Sequence, residues 1–270
     1  MALIPYQYLD AVASIGVRSL DNSISWIGTG FFAGRCVNNP NEVVPFLVTN
    51  RHVFESFKQV VVRMKKKNGE LQLMNVTLEE NGAPLYKTHP QPDIDIAVIL
   101  LDANAIKDYN FDFQCINIDL QAMSSKELRE NGVDEGSLIY MLGFPMGLVN
   151  DNSNLPLCRL GCIARMSETQ IQEAHNILVD VQNFPGNSGS PIVLRPETAT
   201  IIGTKSLNLS VLVGIIHSYI PYQEKLVNSK TRQVVEIRSE NSGIANAHPV
   251  EYIREVVDLI LPPQQVIQQH

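Results

Sequence analysis

The sequence predicts an all-β chain in two lobes, closed by a C-terminal helix. Three observations predict it. Apolar or alternating runs of strand length recur along nearly the whole chain with turn residues between them, a density that reads as barrel or sandwich. The weakest strand signal falls in one place, from Asp102 to about Ser137, and separates an earlier set of runs from a later one. A helical apolar pattern follows the last run and stops at two prolines.

Taken in order, the earlier strands are expected in "SIGVRSL", "WIGTGFFAG", "PFLVTN", "QVVVRM", "LQLMNVTL", "DIAVILL" and "FQCINI". The string "RMKKKNGELQL" is a hairpin signal with Asn68-Gly69 at its tip. Its lysines, Lys65 to Lys67, read as a solvated turn rather than a nucleic-acid patch. The connection carries one helix, "SSKELREN", capped by Ser124 or Ser125 and ending at Asn131-Gly132. The later strands are expected in "SLIYMLG", "CRLGCIARM", "NILVDVQ", "SPIVL", "SVLVGIIHS" and "QVVEIRS". The closing helix is "PVEYIREVVDLILPP", with Pro249 suited to the first helical position. Val250, Ile253, Val256 or Val257, and Ile260 form its apolar face. A short polar tail ending in His270 is expected to fray. No internal repeat is visible.

The bulk properties narrow the function. A chain of 270 residues suits one large all-β domain or two small lobes. A net charge of −7 disfavours nucleic acid and anionic membranes as partners. Met1 to Asp10 lack a basic start and a long apolar region, and no run of about 18 apolar residues occurs, so a cytoplasmic chain with no membrane span is expected. The four cysteines, Cys36, Cys115, Cys158 and Cys162, are then expected to stay reduced. Cys158 and Cys162 are four apart, but no second Cys or His pair has matching spacing, so neither a metal site nor another cofactor is expected.

The stretch "FPGNSGSPI", Phe184 to Ile192, carries the chemistry. A serine hydroxyl needs a base within hydrogen-bond reach, a group to orient that base, and donors for an oxyanion. Glycines two before and one after Ser188 let the backbone curl so that the N–H groups of Gly186 and Ser188 converge. The strand-to-helix esterase elbow G-x-S-x-G does not fit, because Ser190 stands where its second glycine belongs and "PIVL" reads as a strand. Of six histidines, His52 ends an apolar strand in "FLVTNRHVF", whereas His89 lies in a Pro-rich loop and His175 and His248 flank element starts.

The string "GTGFFAG…FLVTNRHV" strongly resembles the first-lobe signature of trypsin-fold peptidases, in which such a strand leads into the catalytic histidine. In "PDIDIAVILL" the family pattern of Asp, aliphatic, Ala or Thr, aliphatic selects Asp95 as the orienting acid, with Asp93 the alternative on the same strand face. The order His52, Asp95, Ser188 is that of the chymotrypsin type. "YMLGFPMG", "DVQNFPGNSGSPI", "LVGIIHS" and "SGIANAHPVEYI" are similar to later segments of HtrA-like peptidases, so the resemblance covers nearly the whole chain. It implies two six-stranded antiparallel β-barrels, lobe one about 1–110 and lobe two about 135–248, with a C-terminal helix about 249–261. It implies a serine endopeptidase acting on a protein or peptide, with His52 as base, Asp95 as its orienter, Ser188 as nucleophile, and the Gly186 and Ser188 amides as oxyanion hole. No appended PDZ domain is expected after residue 262, which departs from the HtrA pattern.

Two departures carry mechanical meaning. Asn187 stands where digestive relatives have an aspartate that pairs with a newly released amino terminus, so activation by cleavage is not expected, and a partner protein or a loop transition is the expected control. At the specificity pocket, Gln182 replaces the aspartate that would select lysine or arginine. His217 lies on the groove strand, one residue later than in relatives that read Glu or Gln there. It either supports the wall or, given a bulge, contacts an acidic or amide side chain. A binding or regulatory module on the same fold, and an ester or thioester hydrolase, are the rival functions.

Overall fold

The computed structural model describes residues 4–37, 39–150, 152–197, 205 and 207–263. The polar tail with His270, and Met1 of the amino-terminal stretch, lie outside the described residues.

After a short helix, α1 (Tyr6–Asp10), lobe one is built from β1 (Val12–Arg18), β2 (Ile24–Val37), β3 (Asn39–Thr49), β4 (Gln59–Lys65) and β5 (Leu71–Thr77). A single helical turn, α2 (Arg51–Phe54), follows β3. The small hairpin of β6 (Glu79–Glu80) and β7 (Ala83–Pro84) precedes β8 (Lys87–Thr88) and β9 (Ala97–Leu100). The sheet runs in the order β5-β4-β1-β2-β3-β9-β8. The connection holds α3 (Ala103–Asp108), then β10 (Ile116–Asn117), which lies parallel to β2, and α4 (Ser125–Glu130). Ser124 caps α4 through a reciprocal pair with Glu127.

Lobe two is a closed barrel. Its strands are β11 (Leu138–Gly143), β12 (Leu157–Arg165), β13 (Ile177–Asp180), β14 (Pro191–Leu194), β15 (Leu212–Val227) and β16 (Val234–Pro249), in the order β11-β12-β13-β16-β15-β14. α5 (Glu168–Ala174) joins β12 to β13, and α6 (Val250–Asp258) follows β16. Beyond the barrel, β15 and β16 continue as a paired ribbon with register from Pro221↔Asn241 to Val227↔Val234.

The fold is the expected all-β pair of lobes with a terminal helix, and three details differ. Among the described residues, lobe two closes as a six-stranded barrel and lobe one is an eight-stranded sheet. In lobe one the chain between β5 and β9 is spent on the β6–β7 hairpin, and two-residue β8 covers only Ala97 and Val98 of β9, so β5 and β8 remain the sheet's ends. Pro249 is the N-cap of α6 in extended conformation, not its first helical residue. Among the described residues four α-helices stand beyond the two expected; α1, α2, α3 and α5 are each seven residues or fewer and too short to show an apolar period.

Among the described residues three apolar clusters organise the chain. One fills lobe one, including Ile15, Leu47, Phe54 and Val62, and another fills lobe two, including Ile139, Ile163, Val179 and Val213. The third lies between the lobes. There Phe31, Phe46, Ile94 and Ile96 meet Leu142, Phe144, Leu212 and Ile215, and α6 inserts Val250, Ile253, Val256 and Val257. Buried Arg35 of β2 anchors the end of α6, pairing with Asp258 and donating to the Leu261 carbonyl at 2.8 Å. It also lies 3.3 Å from Asp119.

Because α6 stabilises the lobe contact through a fully buried stripe, Ile253→Ala is expected to cost about 2–5 kcal/mol. Urea denaturation followed by tryptophan fluorescence measures this, and an unchanged midpoint would contradict the role given to the helix.

Candidate active site

His52 sits in the one turn of α2, directly after β3 delivers Thr49 and Asn50 to the lobe boundary. Asp95 lies just ahead of β9 between Ile94 and Ile96, both fully buried in the shared cluster. Alternation along the extended chain therefore turns Asp95 the other way. Its carboxylate accepts twice from His52, from the ring Nδ1 at 2.5 Å and from the main-chain N–H at 3.1 Å. A carboxylate only accepts, so Nδ1 carries the ring proton and Nε2 remains the basic nitrogen. Asp93, the alternative acid, is exposed, and the His52 bonds go to Asp95.

Burial pushes the Asp95 carboxyl up, while the hydrogen bonds and charge of His52 and the nearby His217 outweigh it and hold it below the ordinary carboxylate value. Asn50, itself fully buried, donates from Nδ2 to the Asp95 carbonyl at 2.8 Å.

Ser188 lies on a tight turn between β13 and β14. Asn187 N–H donates to the Phe184 carbonyl at 3.0 Å and Ser190 N–H to the Asn187 carbonyl at 2.9 Å. Gly186 and Gly189 have φ of +94° and +90°. A Cβ on Gly189 would stand 1.9 Å from the Thr29 carbonyl oxygen, so only glycine fits. Among the described residues the amides of Gly186 and Ser188 donate to no group of the chain, which leaves both available to an oxyanion.

Thr29 of β2 ties this turn to lobe one. Its N–H donates to the Ser188 carbonyl at 2.9 Å, its hydroxyl donates to the Gly186 carbonyl at 2.7 Å, and the same hydroxyl accepts from Phe144 N–H at 3.0 Å. Neighbouring Gly28 has the Val53 side chain and the Ser188 carbonyl both within 3.4 Å of where its Cβ would stand. The serine turn and the residue after His52 thus pack against one glycine. Among the described residues no hydrogen bond joins Ser188 Oγ to His52; such contacts commonly tighten only with substrate bound.

The expected specificity residues separate. Gln182 is exposed beside Gly243. Asn183, not singled out from sequence, is buried, donates from Nδ2 to the Ser218 carbonyl at 3.0 Å, and has no partner for its Oδ1 among the described residues. His217 sits at a bulge of β15, where the register shifts between Ile216 and Ser218. Its ring stacks on His248 at 3.9 Å with an interplanar angle of 6°, and its Nε2 lies 2.7 Å from Asn176 Oδ1. One face of the ring and its Nε2 are thus engaged by His248 and Asn176.

Burial lowers the His217 pKa from 6.5 to about 3, helped by His248 and opposed by Asp95. Burial likewise lowers His248 to about 4, opposed by its bond to the His175 carbonyl and by Asp95. In the unfolded chain both take a proton near pH 6.5. Between that pH and about 4 the unfolded state holds more protons, so stability is complete above pH 6.5 and falls as the pH drops. Each ring is expected to contribute a loss of roughly 2 kcal/mol between pH 8 and pH 5. Urea midpoints across that range check it, and a flat profile would contradict it.

Among the described residues no cluster of His, Cys, Asp and Glu could hold a metal ion, and no helix is long and apolar enough to cross a membrane. A comparison with curated proteins returned no match. The family model for the trypsin-like peptidase domain matches residues 28–203, a span that begins at Gly28 and holds His52, Asp95 and the whole Ser188 turn. With about two thirds of its length covered by that match, and with this two-lobed β architecture around it, the chain belongs to the trypsin-like peptidase family.

Proposed function

We propose that the protein is a serine endopeptidase acting through His52, Asp95 and Ser188. The observation that carries this reading is the paired acceptance by Asp95 of the His52 ring and main-chain N–H groups, which fixes the tautomer a general base requires. Ser188 Oγ attacks the scissile carbonyl while His52 Nε2 takes its proton. Asp95 stabilises the imidazolium, and the Gly186 and Ser188 amides hold the oxyanion. The tetrahedral species collapses as His52 gives the proton to the leaving amine. Water, deprotonated by the same nitrogen, then releases the acyl group from Ser188.

The substrate in this reading is a protein or peptide. Gln182 and Asn183 offer amides where a carboxylate would select a basic side chain, so a neutral residue before the scissile bond is favoured. Cys36, Cys115, Cys158 and Cys162 form no disulfide among the described residues, which suits a reducing compartment, and a cytoplasmic site of action belongs to the same proposal. The absence of a Ser188–His52 hydrogen bond among the described residues is the one observation favouring the rival, a catalytically weak binding module.

A fluorophosphonate probe separates the two. The peptidase is expected to label at Ser188. His52→Ala should slow labelling by several orders of magnitude, and Ser188→Ala should abolish it. In peptide hydrolysis the double variant should be little worse than either single one. A wild-type protein that does not label is the binding module.

Independence from a cleaved amino terminus rests on Asn187. Its side chain is fully buried against Gly143, with neither amide atom partnered among the described residues. Asn187→Asp would bury a carboxylate without a cation there. A destabilisation of about 3–5 kcal/mol is expected. A variant as stable as the parent would mean that a cation reaches this position.

A further inference from the structure

His248 is buried completely, on the outer face of the lobe-two barrel where that face meets lobe one. It stands opposite Ile215 of β15, and the His217 ring lies diagonally across on the same face, stacked on it. Both of its nitrogens are used. Nδ1 is 2.7 Å from the carbonyl of His175, which can only accept, so Nδ1 carries the proton. Nε2 is therefore bare, and it is 2.9 Å from the main-chain N–H of Asp95, which can only donate. An aliphatic side chain would fill this volume without the desolvation cost of an imidazole. The polar edge of the ring is spent on Asp95.

Asp95 lies outside any strand, so no ladder holds its main chain. Its carbonyl is held by Asn50 from lobe one and its N–H by His248 from lobe two. We propose that His248 is a positioning residue for the His52–Asp95 pair: by accepting the Asp95 main-chain N–H across the lobe boundary, it fixes the direction of the carboxylate that orients the His52 ring. Its consequence for catalysis rests on the peptidase reading above; its consequence for the geometry of the pair does not.

The groups around the ring are Asp95 and His89 from lobe one, His217 from β15, His175 at the end of α5, and Tyr252 from α6, whose ring stands edge-on with its centroid 6.3 Å from that of His248. Glu255 of α6 is engaged by His89 at 2.7 Å. A proton added at His248 Nε2 would set two N–H groups against each other and release Asp95. The low pKa given by burial keeps that from happening at neutral pH.

The test compares His248→Leu, which removes the acceptor, with His248→Gln, whose amide oxygen can replace Nε2. Two readouts are used: the far-downfield proton resonance of the His52–Asp95 hydrogen bond, and the rate of fluorophosphonate labelling at Ser188. The Leu variant is expected to shift or broaden the resonance and to slow labelling about ten- to a hundredfold, with Gln recovering most of both. An unchanged resonance and wild-type labelling in the Leu variant overturn the proposal. If wild type itself does not label while the resonance still moves in the Leu variant, the peptidase reading fails and the positioning role stands. Should the Leu variant not fold, nitrogen-15 spectra of the wild-type histidines decide: a His248 ring protonated on Nδ1 and bare at Nε2 supports the proposal, and one protonated on Nε2 overturns it.

Discussion

Burial of one apolar layer between the lobes is the constraint on which the site depends. That layer contains Ile94 and Ile96 on either side of Asp95, Phe144 beside the serine turn, and Ile215 opposite His248. Packing at this layer and polar geometry at the site are therefore one problem. When Ile94 and Ile96 enter the layer, Asp95 must turn outward toward His52. When Leu212 and Ile215 enter it, β15 is held so that Ile216 exchanges hydrogen bonds with Gly189 and Ser190 at 3.0 and 2.9 Å. Hydrophobic burial is non-directional, but strand alternation converts it into direction.

Polar contacts then lock what packing has brought near. Thr29 bonds the serine turn from lobe one, and His248 bonds Asp95 from lobe two. Each lobe thus supplies a hydrogen-bonding group that holds the other's functional residue. In a water-excluded layer such bonds are stronger than at the surface, and leaving one unmade is more costly.

Much of this was legible in the sequence where the signal is local. Strand runs, the Asn68-Gly69 hairpin, the Ser124 cap and the stripe of α6 all rest on residues a few positions apart. So do the glycines around Ser188, which demand positive φ at Gly186 and Gly189. Helix α5 escaped notice because "ETQIQEA" is polar and short, with no buried residue to mark a face. The length of the β15–β16 ribbon also escaped, because its outer part is exposed on both strands and carries no burial pattern. Asn50, Thr29 and His248 were not legible as site residues at all. Each acts on a partner 45 or more positions away, and nothing local distinguishes a histidine that meets a backbone amide from one that meets solvent. His217 stood between: its strand was read correctly, and the bulge that decides its facing appears only once β16 is laid beside it.

The division of the site between lobes has a consequence for what either half could do by itself. His52 and Asp95 precede the connection that starts at Asp102, and Ser188 follows it. A chain severed within that connection would yield one fragment with a polarised imidazole and no hydroxyl to deprotonate, and another with a serine on a shaped turn and no base. On the proposed mechanism, reactivity would be a property of the reassembled pair alone, and so a direct report of whether the fragments had found each other.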